Sequence, residues 1–194
     1  MRRKLNLKEK IMQNAARLFA KKGFFKTTVD EIAALSGISK GAVYLYFKDK
    51  ESIYIEVIDS FFTQGLKHLK EVKKLNISSS EKLEKIFTEW NIFLEKSKFC
   101  LPIASIENIN LSQKIFKKMK ERIMSRIMEI FKEIEDIIDE GIKNKEFENV
   151  NKKFATFLFM EIVRMPAIVS MVFKKEKLEN KEIIETFLNG LRRR

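Results

Sequence analysis

The feature that most constrains the fold is an apolar pattern of helical period that continues unbroken from Ser112 to about Lys143. Isoleucine, phenylalanine and methionine recur there at positions 115, 116, 119, 123, 127, 130, 131, 134, 138 and 142. An α-helix places residues at this spacing on one face, whereas a strand would alternate at every second residue. The stripe is too broad for contact with a single helix, so the pattern predicts a central helix packed among several others.

The rest of the chain predicts helices as well. Six glycines and two prolines in 194 residues are too few for the many tight turns of a sheet protein. We therefore predict an all-α protein of about nine helices, near 7–22, 29–35, 40–46, 49–74, 81–96, 102–109, 112–143, 152–174 and 180–192. Gly23 should end the first helix, and Asp49 should cap the fourth.

Cysteine usage and hydropathy limit where the chain can work. Cys100 is the single cysteine, so an intramolecular disulfide is impossible and a small disulfide-rich secreted fold is excluded. The basic N-terminus lacks the apolar core of a signal peptide, and we expect a cytoplasmic protein. The apolar stretch 154–173 is long enough for a membrane span, but Glu161, Arg164 and Pro166 favour a buried or subunit-interface helix.

Positive charge is concentrated at the N-terminal end. Residues 1–50 contain 12 Lys and Arg against 4 Asp and Glu, so they carry +8 of the chain's total formal charge of +12. A basic surface at one end of a folded chain is the electrostatic pattern expected of a protein that binds a polyanion.

Residues 28–47 have the pattern of a helix-turn-helix unit. Thr28-Val-Asp-Glu31 reads as a capping box at the start of one helix, and Gly37 can adopt the positive φ of the turn that follows. Ser39 can cap the next helix, and the small core would be formed by Ile32, Ile38 and Val43. In such units the second helix enters the major groove of DNA.

The second of these helices combines small, aromatic and basic residues. Gly41 and Ala42 leave room for a close approach to DNA, and the hydroxyl of Tyr44 can bind a phosphate. Phe47 should turn inward, while Tyr46 could either contact DNA or pack. Screened attraction to the DNA backbone would come from Lys40, Lys48 and Lys50.

These residues carry a family resemblance. The run ISKGAVYLYFKDKESI, preceded by TTVDEIAALSG and by a helix ending in AKKGF, resembles the N-terminal DNA-binding domain of the TetR/AcrR family of bacterial transcriptional regulators. The motif covers about residues 10–55. The resemblance implies a helix-turn-helix DNA-binding domain over 1–48, joined through the long fourth helix to a ligand-binding and dimerisation domain over 49–194.

The resemblance also implies partners and contact residues. It implies a homodimer formed by the last two long helices, over 152–192, and double-stranded operator DNA with a near-palindromic sequence. Carried over by position, the phosphate contacts are Thr28, Ser39, Lys40, Gly41, Tyr44 and Lys50, and the residues facing base edges are Lys40, Ala42 and Leu45. Leu45 departs from the polar or aromatic residue often found there, which suggests apolar contact with a thymine methyl group.

A small hydrophobic or amphipathic effector is the third implied partner. The candidate pocket residues lie on apolar helix faces and are Phe62, Leu66, Trp90, Phe93, Ile123, Ile127 and Phe159. Each of them could equally be ordinary core. The predicted function is a repressor that such a ligand releases from its operator, and a DNA-binding protein of the same fold without an inducer remains the alternative.

Nothing in the sequence supports catalysis. There is no glycine-rich phosphate loop, no nucleophile elbow and no acid–base pair, and His68 stands alone without metal-ligand spacing. We therefore expect neither an enzyme nor a cofactor or metal site. The sequence does not define the effector, the operator, the direction of regulation or the roles of Cys100, Glu161 and Arg164.

Overall fold

The computed structural model describes residues 2–97, 113–172 and 179–192. These residues form eight α-helices and no β-strand: α1 Arg2–Lys26, α2 Val29–Ser36, α3 Lys40–Tyr44, α4 Lys50–Lys73, α5 Ser79–Ser97, α6 Gln113–Lys143, α7 Lys152–Val172 and α8 Asn180–Leu191. The predicted all-α class is confirmed. The additional helix predicted near 102–109 lies outside the described residues. So do Cys100 and the side chains of Phe93 and of residues 1–6.

The chain divides into two compact units, Met1–Thr63 with Lys98–Met124 and Gln64–Ser97 with Ser125–Arg194. This division by packing differs from the boundary predicted after residue 48. That boundary separates residues by their role in DNA binding, so it stays a prediction.

An aromatic cluster forms the centre of the first unit, where α1 meets α4. The Phe19 ring lies edge-on to Tyr54, with centroids 5.2 Å apart, and the Phe24 ring lies 5.0 Å from the same tyrosine. Phe47 is also buried, as predicted, and Lys8 Nζ lies 5.6 Å from the centroid of its ring. Burial of large aromatic rings such as these removes a large apolar area from water and so stabilises the first unit.

Glu56 of α4 joins three helices of the first unit through ion pairs. Its carboxylate accepts hydrogen bonds from Lys8 of α1 and from Arg122 of α6, both at 3.0 Å. Arg122 also donates to Asp59, one turn further along α4, at 2.7 Å. Partial burial opposes ionisation of Glu56, but the two hydrogen bonds outweigh it and the pKa of this carboxyl lies below its usual value.

Helix ends in the second unit are held by charged side chains. Ser78 and Glu81 form a capping box at the start of α5, and the Glu146 carboxylate accepts from the N–H groups of Ser79 and Ser80 at 2.8 and 2.7 Å. An anion at this position compensates the positive end of the helix dipole. The start of α5 is therefore fixed by the turn that follows α6.

Helix α5 packs against α7 and α8 in the second unit, and α7 packs against α8. Phe159 of α7 is fully buried, and its ring lies 5.5 Å from that of Phe187 of α8. No helix of the described chain, α7 included, is both long and apolar enough to cross a membrane.

Helices α4 and α5 approach each other closely at Gly65. A Cβ atom built on Gly65 would lie 2.2 Å from the six-membered ring of Trp90, so only glycine allows this contact in its present form. One turn further along α4, His68 pairs with Glu89. Within the described residues, no group of three or more His, Cys, Asp and Glu side chains could hold a metal ion.

Candidate nucleic-acid interface

Both ends of α2 are fixed by the predicted residues. The Glu31 N–H donates to Thr28 Oγ1 at 3.3 Å and the Thr28 N–H donates to Glu31 Oε2 at 2.9 Å, which completes the capping box. Gly37 ends the helix in the left-handed conformation, with φ 68° and ψ 34°. These findings confirm the predicted caps. Because a residue with a Cβ adopts this conformation only at a cost, Gly37 sets the direction in which the chain enters α3.

Helix α3 is short and turns one side outward. Ser39 caps it by accepting a hydrogen bond from the Ala42 N–H at 3.2 Å, as predicted, but the helix ends at Tyr44 rather than at residue 46. Val43 faces the core. The outer side carries Tyr44, which is 47% exposed, and Leu45, which is 83% exposed. Lys40 and Gly41 are exposed as well, and Ala42 is half-buried.

Two ion pairs lie at the edge of this surface. Lys40 Nζ is 2.8 Å from Asp30 Oδ2, and Asp30 stands in the first turn of α2. The hydrogen bond that Lys40 donates to the Asp30 carboxylate is the main cause of a raised pKa at Lys40. Next to it, Glu31 is bonded to Lys22 and to Thr28, and these contacts lower the pKa of Glu31 to about 2.

Gly41 is not required by the fold. Its φ is not positive, and a Cβ built on it would meet only Ser39 Oγ, at the ordinary contact distance of 3.9 Å. Glycine within a helix costs about 0.5 to 1 kcal/mol relative to alanine. Gly41 is the second residue of the five-residue helix α3, and no internal contact requires glycine there.

Lys50 lies at the carbonyl end of α1. Its ammonium group donates to the carbonyl oxygens of Phe24 and Thr27 at 2.9 and 2.8 Å and, more weakly, to that of Phe25 at 3.4 Å. The nitrogen is also 4.4 Å from the centroid of the Phe24 ring. Partial burial lowers the pKa of this lysine. The predicted phosphate contact stays a prediction, and it would require Lys50 to exchange these carbonyl oxygens for a phosphate.

The predicted pocket residues are divided between the two units. The first unit contains Phe62 and Ile123, and the second contains Leu66, Trp90, Ile127 and Phe159. Leu66, Ile123 and Phe159 are buried, whereas the other three are half-buried. Their role in ligand binding stays a prediction.

Asp30 belongs to the α3 surface although no sequence pattern indicates it. In the capping motif Thr28-Val-Asp-Glu31 only the first and last residues form the capping hydrogen bonds. From the sequence, Asp30 would be interpreted as a solvated acidic residue in the first turn of α2. Its partner Lys40 is ten residues away in another helix. Helical spacing relates positions three or four apart, so it could not reveal this pair.

The geometry defines a class of protein. Three helices, of which α2 and α3 are short, surround a small core, and the last of them turns one side outward; this is the arrangement of a helix-turn-helix DNA-binding domain. Residues 11–57 match the family model described as bacterial regulatory proteins of the tetR family. The chain therefore carries the DNA-binding domain of the tetR family, and the resemblance seen in the sequence is confirmed.

Relatives match either this domain or most of the chain. The HTH-type transcriptional regulator YerO of Bacillus subtilis is 43% identical over 67 residues, which are 34% of this chain and 23% of YerO. The fatty acid metabolism regulator protein of Bacillus subtilis is 27% identical over 142 residues, 71% of this chain and 69% of that protein. These relatives are regulators of transcription and not enzymes.

The crystal structure of the regulator FadR from Bacillus subtilis in complex with stearoyl-CoA has a similar fold. Its TM-score to this protein is 0.78 at 21% identity, and the alignment covers 94% of this chain and 98% of FadR. At this identity the likeness concerns the fold alone.

Replacing Lys50 by methionine should lower stability. Lys50→Met keeps most of the side-chain length but removes a charged donor from two close carbonyl oxygens, which should cost about 1 to 3 kcal/mol in unfolding free energy. Urea unfolding of the DNA-free protein measures the loss. Lys48→Met is the matched control, because Lys48 is exposed and a change there should stay within about 0.5 kcal/mol. Equal stability of the two variants would contradict a capping role for Lys50.

Proposed function

We propose that the protein is a dimeric transcriptional repressor that binds a near-palindromic operator and is released from it by a small apolar or amphipathic ligand. The observation that carries the proposal is the outward side of α3, where Lys40, Gly41, Tyr44 and Leu45 are exposed and contribute little to packing. Leu45 is 83% exposed next to the exposed Tyr44, and no internal contact requires glycine at position 41. Both become useful when a second surface covers them.

DNA provides that surface in the proposed complex. Thr28, Ser39, Lys40, Gly41 and Tyr44 contact phosphates, which fixes the position of α3 in the major groove. Lys40, Ala42 and Leu45 face base edges, and Leu45 reads thymine through its methyl group. Lys50 has a structural role in the proposed complex, because its ammonium group is hydrogen-bonded to carbonyl oxygens at the end of α1.

Selection from a random DNA library tests the DNA-binding part of the proposal. The full-length protein should enrich a palindromic sequence whose half-sites are about one helical turn apart or more. Failure to enrich any sequence, with a folded protein that binds all DNA equally, would contradict the proposed function.

Gly41→Ala separates DNA contact from folding. The added methyl group should leave the DNA-free protein as stable or more stable, by up to about 1 kcal/mol, because it meets no close neighbour. The same group would project toward the DNA backbone, so affinity for the selected operator should fall at least tenfold. Thermal unfolding and fluorescence anisotropy measure the two effects. Unchanged operator affinity would remove Gly41 from the interface.

The proposed dimer uses an exposed apolar face of α7. Phe154, Phe157, Leu158 and Met165 lie within one arc of the helix, and the two phenylalanines are 60% and 56% exposed. Four large apolar side chains on one arc, in the segment that the family resemblance assigns to dimerisation, favour a second copy of the chain as the occupant. Glu161 pairs with Arg164 on the same side, at 3.4 Å.

Phe157→Glu should yield monomers at micromolar concentration, because burying an unpaired carboxylate in an apolar interface is costly. Analytical ultracentrifugation measures the effect. Met128→Glu is the matched control: Met128 is 57% exposed on α6, and its replacement should leave the dimer intact. A wild-type protein that sediments as a monomer would contradict the dimeric architecture.

An acyl chain or acyl thioester is the first effector to test. One relative along most of the chain regulates fatty acid metabolism, and a regulator of similar fold is known with stearoyl-CoA. Helix α4 is continuous from Lys50, next to the end of α1, to Lys73, and carries Phe62 and Leu66 of the predicted pocket. A ligand that favours another position of α4 would change the spacing of the two α3 helices in a dimer, to the extent of its differential affinity.

Stearoyl-CoA should raise the melting temperature and release operator DNA together, because linkage between the two sites is reciprocal. A hundredfold excess over its dissociation constant contributes about 2.7 kcal/mol to unfolding free energy. Trp90→Ala should weaken both effects while operator binding without ligand stays near normal. If no acyl thioester, fatty acid or planar drug changes either quantity, the alternative of a DNA-binding protein without an inducer is favoured.

A further inference from the structure

Asp30 occupies a position that no packing requirement explains. The neighbouring Glu31 completes the capping box and pairs with Lys22, so the start of α2 is already supplied with an acidic side chain. Asp30 instead points its carboxylate at α3, where Oδ2 lies 2.8 Å from Lys40 Nζ. Both side chains are open to solvent, with 64% of Asp30 and 49% of Lys40 exposed.

An exposed ion pair of this kind adds little to stability, because water screens it. Its placement has another consequence, which rests on the proposed function. Lys40 is the first residue of α3 and belongs to both the proposed phosphate contacts and the proposed base contacts. Any DNA that uses this ammonium must first take it from Asp30.

We propose that Asp30 is a specificity-determining residue that competes with DNA for the Lys40 ammonium group. Non-specific DNA offers Lys40 only phosphates. Replacing the Asp30 carboxylate by a phosphate as the partner of the ammonium group gains little binding free energy. An operator also offers base-edge acceptors to Lys40 and apolar contacts to its neighbours, which compensate the broken pair. Asp30 therefore weakens binding to DNA in general more than it weakens binding to the operator.

Asp30→Asn tests the proposal with the full-length protein and a mixed-sequence duplex of about 30 base pairs as the non-specific probe. Loss of the competitor should tighten non-specific binding by about two- to fivefold per protomer, the range expected from an exposed pair. The slope of log affinity against log salt should become steeper by up to about one unit per protomer, because one more cation is free to displace counterions. Affinity for the operator selected above should rise less, so discrimination falls.

Glu148→Gln is the control for net charge. It removes one exposed negative charge in the second unit, which does not contain α3, and should change neither the affinity nor the slope. Asp30→Ser is a second neutral variant, and it should behave as Asp30→Asn does. Melting temperatures close to the wild type would show that the variants are folded.

The variant Lys40→Gln shows whether Asp30 acts through Lys40. Adding Asp30→Asn to Lys40→Gln should change non-specific affinity no more than the Glu148→Gln control does. If Asp30→Asn tightens binding as strongly in that background, Asp30 repels phosphates directly and the competition is overturned. If the wild-type protein enriches an operator but Asp30→Asn matches the control, this inference alone fails. If the wild type enriches nothing, the proposed function fails.

Discussion

The position of the helix-turn-helix depends on the contact between the Lys50 ammonium group and the carbonyl end of α1. The three carbonyl oxygens it binds belong to Phe24, Phe25 and Thr27, the residues that lead directly into the cap of α2. The same nitrogen lies over the Phe24 ring, which in turn packs on Tyr54. The Lys50 side chain of α4 thus contacts both the segment that precedes α2 and the aromatic core of the first unit. Gly23, with φ 81° and ψ 165°, interrupts regular α1 geometry just before this segment and makes the carbonyl oxygens accessible.

Helices α2 and α3 have eight and five residues, too few to be stable in isolation. Their stability comes from caps at their ends and from burial of one side of each, with α2 packed against both α1 and α3. The caps and the buried side chains are sufficient to hold these two helices. The outer residues of α3 are therefore not needed for folding and can serve an external partner. The ion pairs of Glu56 with Lys8 and Arg122 link α1, α4 and α6 in one ionic network.

The sequence predicted what depends on local rules. Helical period located the helices, and the caps at Thr28, Gly37 and Ser39 were predicted because each involves residues two to four positions apart. Pairs between helices could not be predicted. The position of Lys50 at the end of α1 depends on how α4 packs, and the pair of Asp30 with Lys40 depends on the angle between α2 and α3. Burial in the last helices was also only partly predictable. The composition of 152–172 indicates an interface, but only the structure shows which side of α7 is exposed.

The close approach of α4 and α5 at Gly65 has an experimental consequence. The ring that covers this glycine is the single tryptophan of the chain, so intrinsic fluorescence excited near the red edge of protein absorption comes from one known place. Its emission reports how tightly the indole lies against α4, without any introduced label. A change in the separation of the two helices exposes the indole to water and shifts its emission to longer wavelength. The protein therefore contains an internal optical probe of the contact between α4 and α5.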